Sequence, residues 1–283
     1  MKPEFIGIIG GLGRMGSLMS RLFTEAGYRV LIADIKAGPV SWEPLLRCEV
    51  ILLAVPIPAM EEVLREIGPR TRPEGVVIDI GSLKEGPIKS MLEHCRGEVI
   101  GSHPLFGPSV SSLEEQIFFV CPARAERWQG WFCSFLQDRG ARVVEIEPQK
   151  HDWLMARVQI LRHLLLLTFG LSLRRLEFEV AAQLPLSGPW FSQLVGMLSK
   201  QLEQAPDLSA DLASHNLAAK KVYDSFFKAA QEVADKFSSQ DRQGIIDLIK
   251  RVSFHLGDLI KGSPSQTEAR LFRAGLGSQE EGS

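Results

Sequence analysis

One imidazole, His103, stands in the run Gly101-Ser102-His103-Pro104-Leu105-Phe106-Gly107-Pro108, on a chain stiffened by Pro104 and Pro108. Far upstream lies Gly11-Leu12-Gly13-Arg14-Met15-Gly16, the G-x-G-x-x-G spacing of a dinucleotide-binding turn. A histidine can hydrogen-bond a substrate hydroxyl while a hydride leaves the carbon that bears it. The glycine turn can hold the pyrophosphate of a hydride carrier at a helix N-terminus, where free N–H groups and the helix dipole favour anions. Together the two motifs predict a nicotinamide enzyme with a histidine acid/base; neither predicts it alone.

Each glycine has an expected task. Gly11 allows a tight turn, Gly13 lets the backbone approach a pyrophosphate, and Gly16 allows close helix–strand packing. Asp34, 18 residues beyond Gly16, accepts the ribose hydroxyls of NAD and repels a 2′-phosphate. NAD is therefore favoured over NADP, although Arg14 and Lys36 are cations that NADP could use. Val55-Pro56 and Gly81-Ser82 fall at the carboxyl ends of later strands, where a ligand in such a sheet lies. The competing reading is a glycine turn that binds nothing; strand, helix and Asp34 in register count against it.

The elements that must position these groups alternate. Residues 5–9 form a short apolar strand, 14–26 carry apolar residues at helical spacing, Gly27 stops the helix, and 29–33 form the next strand. Strands are further expected at 50–54, 76–80, 99–100, 117–121 and 143–146, with helices at 59–67, 87–94 and 128–139. His103 is expected just past the end of its strand. From His151 to Lys261 only helical periodicity is visible. The predicted fold is α/β: a doubly wound Rossmann-type domain over 1–150, then an all-α substrate and dimerisation domain over 151–262. Residues 263–283, rich in Gly, Ser, Gln and Glu, read as a disordered tail.

The helix over 152–173 is apolar over most of its surface, which predicts burial on several sides, in part against a second copy of the chain. Its most apolar stretch, 164–173, is too short to span a bilayer. Gln159 and His163, four apart, share one face of it and suggest a polar cavity or a buried hydrogen-bonded pair. His94 and His255 stand in no motif and read as structural.

Composition narrows the partners. The 283 residues are 45% hydrophobic and 23% charged, enough for a real core. A net charge of −2 gives no broad attraction to nucleic acid or an anionic membrane, so an anionic small substrate needs a local cation. Cys48, Cys95, Cys121 and Cys133 are scattered without zinc-ligand spacing. They read as reduced thiols, and with no signal-peptide pattern at the start a cytoplasmic location and no metal are expected.

Four segments resemble the prephenate dehydrogenase (TyrA) family: Gly10 to Gly16, Asp79-Ile80-Gly81-Ser82-Leu83-Lys84, His103-Pro104-Leu105-Phe106-Gly107-Pro108, and His151-Asp152 through Met155-Ala156 to Gln159 and His163. They follow the family's order over about residues 5–261. The resemblance implies NAD-dependent oxidative decarboxylation of a cyclohexadienyl substrate by a homodimer. His103 takes the hydrogen bond and then the proton of the C4 substituent, Ser82 orients that histidine, and His163 and Gln159 lie at the substrate.

One position departs from the family. The arginine that usually clamps a substrate carboxylate is matched by Lys200, which keeps the charge but loses the bidentate fork; Ser192 also replaces an arginine of close relatives. Arg157, Lys220 or Lys221 could fill in. Prephenate is ranked first as substrate, 4-amino-4-deoxyprephenate second and arogenate third. A β-hydroxyacid-type dehydrogenase leaves the His103 segment unexplained. A non-catalytic NAD-responsive protein fits Lys200 but not the retained His103, His163 and Ser82.

Overall fold

The computed structural model describes residues 2–257; the tail expected over 263–283 lies outside them. The first half alternates as β1 (Phe5–Ile9), α1 (Arg14–Glu25), β2 (Arg29–Ala33), α2 (Glu43–Leu46), β3 (Val50–Leu53), α3 (Ile57–Ile67), β4 (Val76–Asp79), α4 (Glu85–His94), β5 (Glu98–Pro104), β6 (Ile117–Arg124), α5 (Trp128–Gln137) and β7 (Arg142–Glu145). The seven strands form one sheet in the order β2-β1-β3-β4-β5-β6-β7. All pairings are parallel except β5–β6. The order reverses at β1, as in a doubly wound sheet.

Continuous apolar runs become the central strands because both faces are covered. Every residue of β3, β4 and β5 is buried. One apolar cluster joins Ile6, Ile8, Leu52 and Ile78 to Leu18, Met19, Leu22 and Phe23 of α1. A second, on the opposite face, joins Leu53 and Val77 to Met60 and Leu64 of α3. The buried residues of α1 recur at helical spacing, and Gly27 follows its end at φ +82°.

His103 lies inside β5, not past the end of a strand closing at Ile100. The cause is β6, which folds back antiparallel and pairs His103 with Phe119 and Pro104 with Phe118, keeping the backbone extended.

The helical half runs α6 (Pro148–Met155), a π turn at Ala156–Ile160, α7 (Leu161–Arg175), α8 (Val180–Gln183), α9 (Gly188–Leu202), α10 (Pro206–His215), α11 (Ala219–Ser238) and α12 (Arg242–Leu256). Among the described residues no strand follows β7. By compactness the chain divides into Met1–Val222 and a second unit from Tyr223 onward. In the second unit Asp241 caps α12: its Oδ1 accepts the Gly244 N–H at 2.9 Å, and its Oδ2 pairs with Lys236 Nζ at 2.8 Å.

Two expectations for the long apolar helix are revised. In α7 only His163 and Leu166 are buried, while Leu161, Leu165, Leu167 and Leu171 are exposed, so the described residues do not cover the helix on several sides. An apolar surface of this kind signals another covering surface. The helical run Pro148–Arg175 is also longer than its most apolar stretch. It has 28 residues, and an 18-residue window of it has a mean hydropathy of 1.4, so by length and composition alone it is long and apolar enough to cross a bilayer. Its first two turns nevertheless bury His151 and Asp152 against protein partners, as a core helix does.

Candidate active site

The glycine turn is packed so closely that side chains are excluded from it. Gly10 sits at φ +80°, and a Cβ there would collide with the carbonyl of Ala54 and stand 3.3 Å from Val55 Cγ1. The left-handed residue of the turn is Gly10; at Gly11 a Cβ would meet the Ile32 side chain at 2.6 Å. At Gly16 a Cβ would overlap the Gly10 carbonyl oxygen. Gly13 precedes α1 in extended conformation with no side-chain cap, so the first N–H groups of α1, at Arg14 and Met15, have no capping partner.

Asp34 is buried at the end of β2. Its Oδ2 accepts the Leu12 N–H at 2.9 Å and its Oδ1 accepts the Lys36 N–H at 2.9 Å. The carboxylate therefore ties the glycine turn to the next strand and keeps further lone pairs for a ribose. Pro56 caps α3 directly after Val55, beside the turn. A turn a Cβ would fill, uncapped N–H groups and an adjacent carboxylate match the donor and acceptor pattern of a dinucleotide.

His103 is almost wholly buried, and its Nδ1 lies 2.9 Å from Nε2 of His151. The rings meet edge to face, 5.1 Å between centroids, and Phe119, the cross-strand neighbour of His103, also meets the His151 ring edge to face at 5.4 Å. His151 Nδ1 is 2.7 Å from Asp152 Oδ1. Asp152 accepts the backbone N–H groups of Lys84 at 2.8 Å and Glu85 at 2.9 Å, and its own carbonyl accepts from Asn216 Nδ2 at 2.9 Å. Nothing among the described residues bonds to Nε2 of His103.

Beneath this chain of bonds lies a buried ion pair, Lys84 with Asp79, both fully enclosed. Lys84 Nζ also donates to the Ser102 carbonyl at 2.7 Å, and Gly81 N–H donates to Asp79 Oδ1 at 2.7 Å. Burial raises the Asp79 carboxyl, and Lys84 opposes the rise. Burial, then the neighbouring His151 and Lys84, hold His103 well below the usual imidazole range. Burial also lowers His151, against the opposing pull of Asp152. Both imidazole shifts favour the neutral rings.

The other expected residues are placed as follows. His163 is buried, and its Nε2 accepts from the Arg162 guanidinium at 2.9 Å. Burial and that cation push its pKa down to about 4. Gln159 falls in the π turn, a feature common at functional sites, and its Oε1 is buried without a partner. Ser82 follows β4 half-buried; its hydroxyl makes no hydrogen bond among the described residues, and Nδ1 of His103, the histidine Ser82 was expected to orient, lies against His151. Lys200 is exposed in the last turn of α9, and no hydrogen bond or ion pair joins it to His103 or His163.

The contact missed from sequence is the one between His103 and the pair His151-Asp152. Its signal was a histidine followed by an acid at the start of the helical half, with a lysine in the turn after β4.

Comparison with known proteins supplies the family. Residues 23–145 match the model of the prephenate dehydrogenase nucleotide-binding domain, and residues 147–251 match that of the prephenate dehydrogenase dimerization domain. The T-protein of Enterobacter agglomerans is 32% identical over 257 residues, covering 90% of this chain and 68% of its own. The chain belongs to the prephenate dehydrogenase family. A probable arogenate/prephenate dehydrogenase of Methanocaldococcus jannaschii is 29% identical over 94% of this family member, which spans 64% of that relative's length. A crystal structure of prephenate dehydrogenase from A. aeolicus, in complex with hydroxyphenyl propionate and NAD+, shares the fold. Its TM-score is 0.71 at 16% identity, over 90% of this chain and 98% of that one.

Proposed function

We propose that this chain catalyses the NAD-dependent oxidative decarboxylation of prephenate to 4-hydroxyphenylpyruvate. The observation that carries the reading is topological. β1, β3, β4 and β5 are parallel neighbours, so the glycine turn, Val55-Pro56, Gly81-Ser82 and His103 all fall at the carboxyl-terminal edge of one sheet. Ligands of doubly wound sheets bind at that edge.

NAD, held by the glycine turn and Asp34, supplies the acceptor for the hydride that leaves C4 of the ring. Nε2 of His103 accepts the hydrogen bond of the C4 hydroxyl and takes its proton as the C4–O bond gains double-bond character. The bond between C1 and the ring carboxylate breaks, its electron pair enters the ring, and CO₂ departs. The proton returns from His103 to the phenolic oxygen, so no net proton is released. Aromatisation makes the step irreversible.

Ser82, Gln159 and His163 are assigned to the substrate. Gln159 offers its side-chain amide N–H groups, and neutral His163, its Nε2 already occupied by Arg162, offers an Nδ1–H donor. Lys200 is assigned as a single-point carboxylate contact. Residues 1–150 form the nucleotide domain and 151–262 the substrate and dimerisation domain of a homodimer; the exposed leucines of α7 and the dimerization-domain match support the latter.

The test is turnover of the purified chain on prephenate, arogenate and 4-amino-4-deoxyprephenate, each with NAD and NADP, read as reduced coenzyme and CO₂. Fastest turnover of prephenate with NAD is expected. Preference for an analogue overturns the substrate, and no turnover of any overturns the activity.

A further inference from the structure

The positions of two buried protons can be worked out from the fixed donors at one end of the site. Asp152 Oδ1 faces the Lys84 N–H and Oδ2 the Glu85 N–H, at 2.8 and 2.9 Å. Backbone N–H groups can only donate, so both oxygens act as acceptors. Oδ1 also lies 2.7 Å from His151 Nδ1, so the hydrogen of that bond sits on Nδ1. A neutral imidazole with Nδ1–H has a bare Nε2, which can only accept. That Nε2 is 2.9 Å from His103 Nδ1, so His103 must carry its own hydrogen on Nδ1.

We infer that His151 and Asp152 are positioning residues: they lock His103 in the Nδ1–H form and so present its bare Nε2 to the substrate hydroxyl. The groups around the pair agree. Lys84, one hydrogen bond from the Ser102 carbonyl, disfavours a second proton on either ring, and the Asp79 charge is committed to Lys84. Phe119, packed on His151, and buried Cys121 offer no competing charge. Swapping the tautomer of His103 alone would leave two bare nitrogens facing each other, with no hydrogen between them, at a fully buried contact. The same logic makes an aspartate hold a histidine in the working tautomer in a serine-protease triad. Here a second imidazole stands between the two.

The inference rests on His103 being the base, but its test reads the resting protein without substrate. The full chain is labelled with ¹⁵N-histidine, and long-range ¹H–¹⁵N correlations are recorded at neutral pH. His103→Asn and His151→Asn spectra assign the signals. Both rings are expected to show protonated Nδ1 and bare Nε2, the form free histidine disfavours in water. Asp152→Asn should mix or reverse the His103 tautomer and lower kcat by about 10²–10⁴, with KM within about twofold. An Nε2–H form of His103 in the unaltered protein overturns the inference, whether or not the variants fold. So does an Asp152→Asn protein that keeps the original tautomer. If the tautomers are as expected but no substrate is turned over, the proposed activity fails and the assignment of the two protons stands.

Discussion

His103 and His151 meet with their ring planes at 76°, Nδ1 to Nε2, across the contact between β5 and α6. The bond fixes the rotation of a side chain on a strand by means of one on a helix, and the backbone turn before α4 fixes that helix residue through Asp152. A base held this way loses little freedom when substrate arrives, which is what proximity effects demand.

The pair beneath it is expected to be costly to break. Lys84→Met leaves the Asp79 carboxylate buried without a counter-charge, for a loss of about 3–5 kcal/mol in urea unfolding. Lys84→Met with Asp79→Leu should recover part of that loss. A single substitution that costs no more than an exposed one would show that the two charges are not committed to each other.

Acid should destabilise the fold earlier than carboxylates alone explain. Unfolded histidines bind protons from about pH 6.5 downward. In the folded chain His163 does so only near 4, and His103 and His151 are also depressed. The unfolded state therefore holds more protons in that window, and stability falls as pH drops from about 6.5 toward about 4. Above it these groups contribute no pH dependence. Thermal midpoints across the range should decline, and less steeply in His163→Gln; a flat profile would show that these rings are free to charge in place.

The β-α-β unit was legible because its physics is local: buried strands need continuous apolar runs, and α1 needs apolar residues at helical spacing. The length of β5 was not, because its extension through His103 depends on pairing with β6. The His103–His151 bond joins residues 48 apart, beyond any periodicity. The apolar composition of α7 stated that something covers it but not which molecule. The need for glycine at Gly10 was not legible either, since the contact that excludes a Cβ there comes from Ala54, just past β3.

Coenzyme choice should follow Asp34. Asp34→Ala removes the ribose acceptor and frees the Leu12 N–H, so NAD affinity is expected to fall about tenfold, a loss of ~1.4 kcal/mol. NADP affinity should hold or rise as the repulsion of its 2′-phosphate disappears. Titration by protein fluorescence reads both; equal losses for the two coenzymes would mean that Asp34 only shapes the turn.

Steady-state turnover of prephenate by His103→Asn, with NAD affinity and thermal midpoint measured on the same preparation, tests the central claim most directly. A fall in kcat of about 10²–10⁴ with both controls preserved is the expected result. An unchanged kcat in a folded, NAD-binding variant would contradict it.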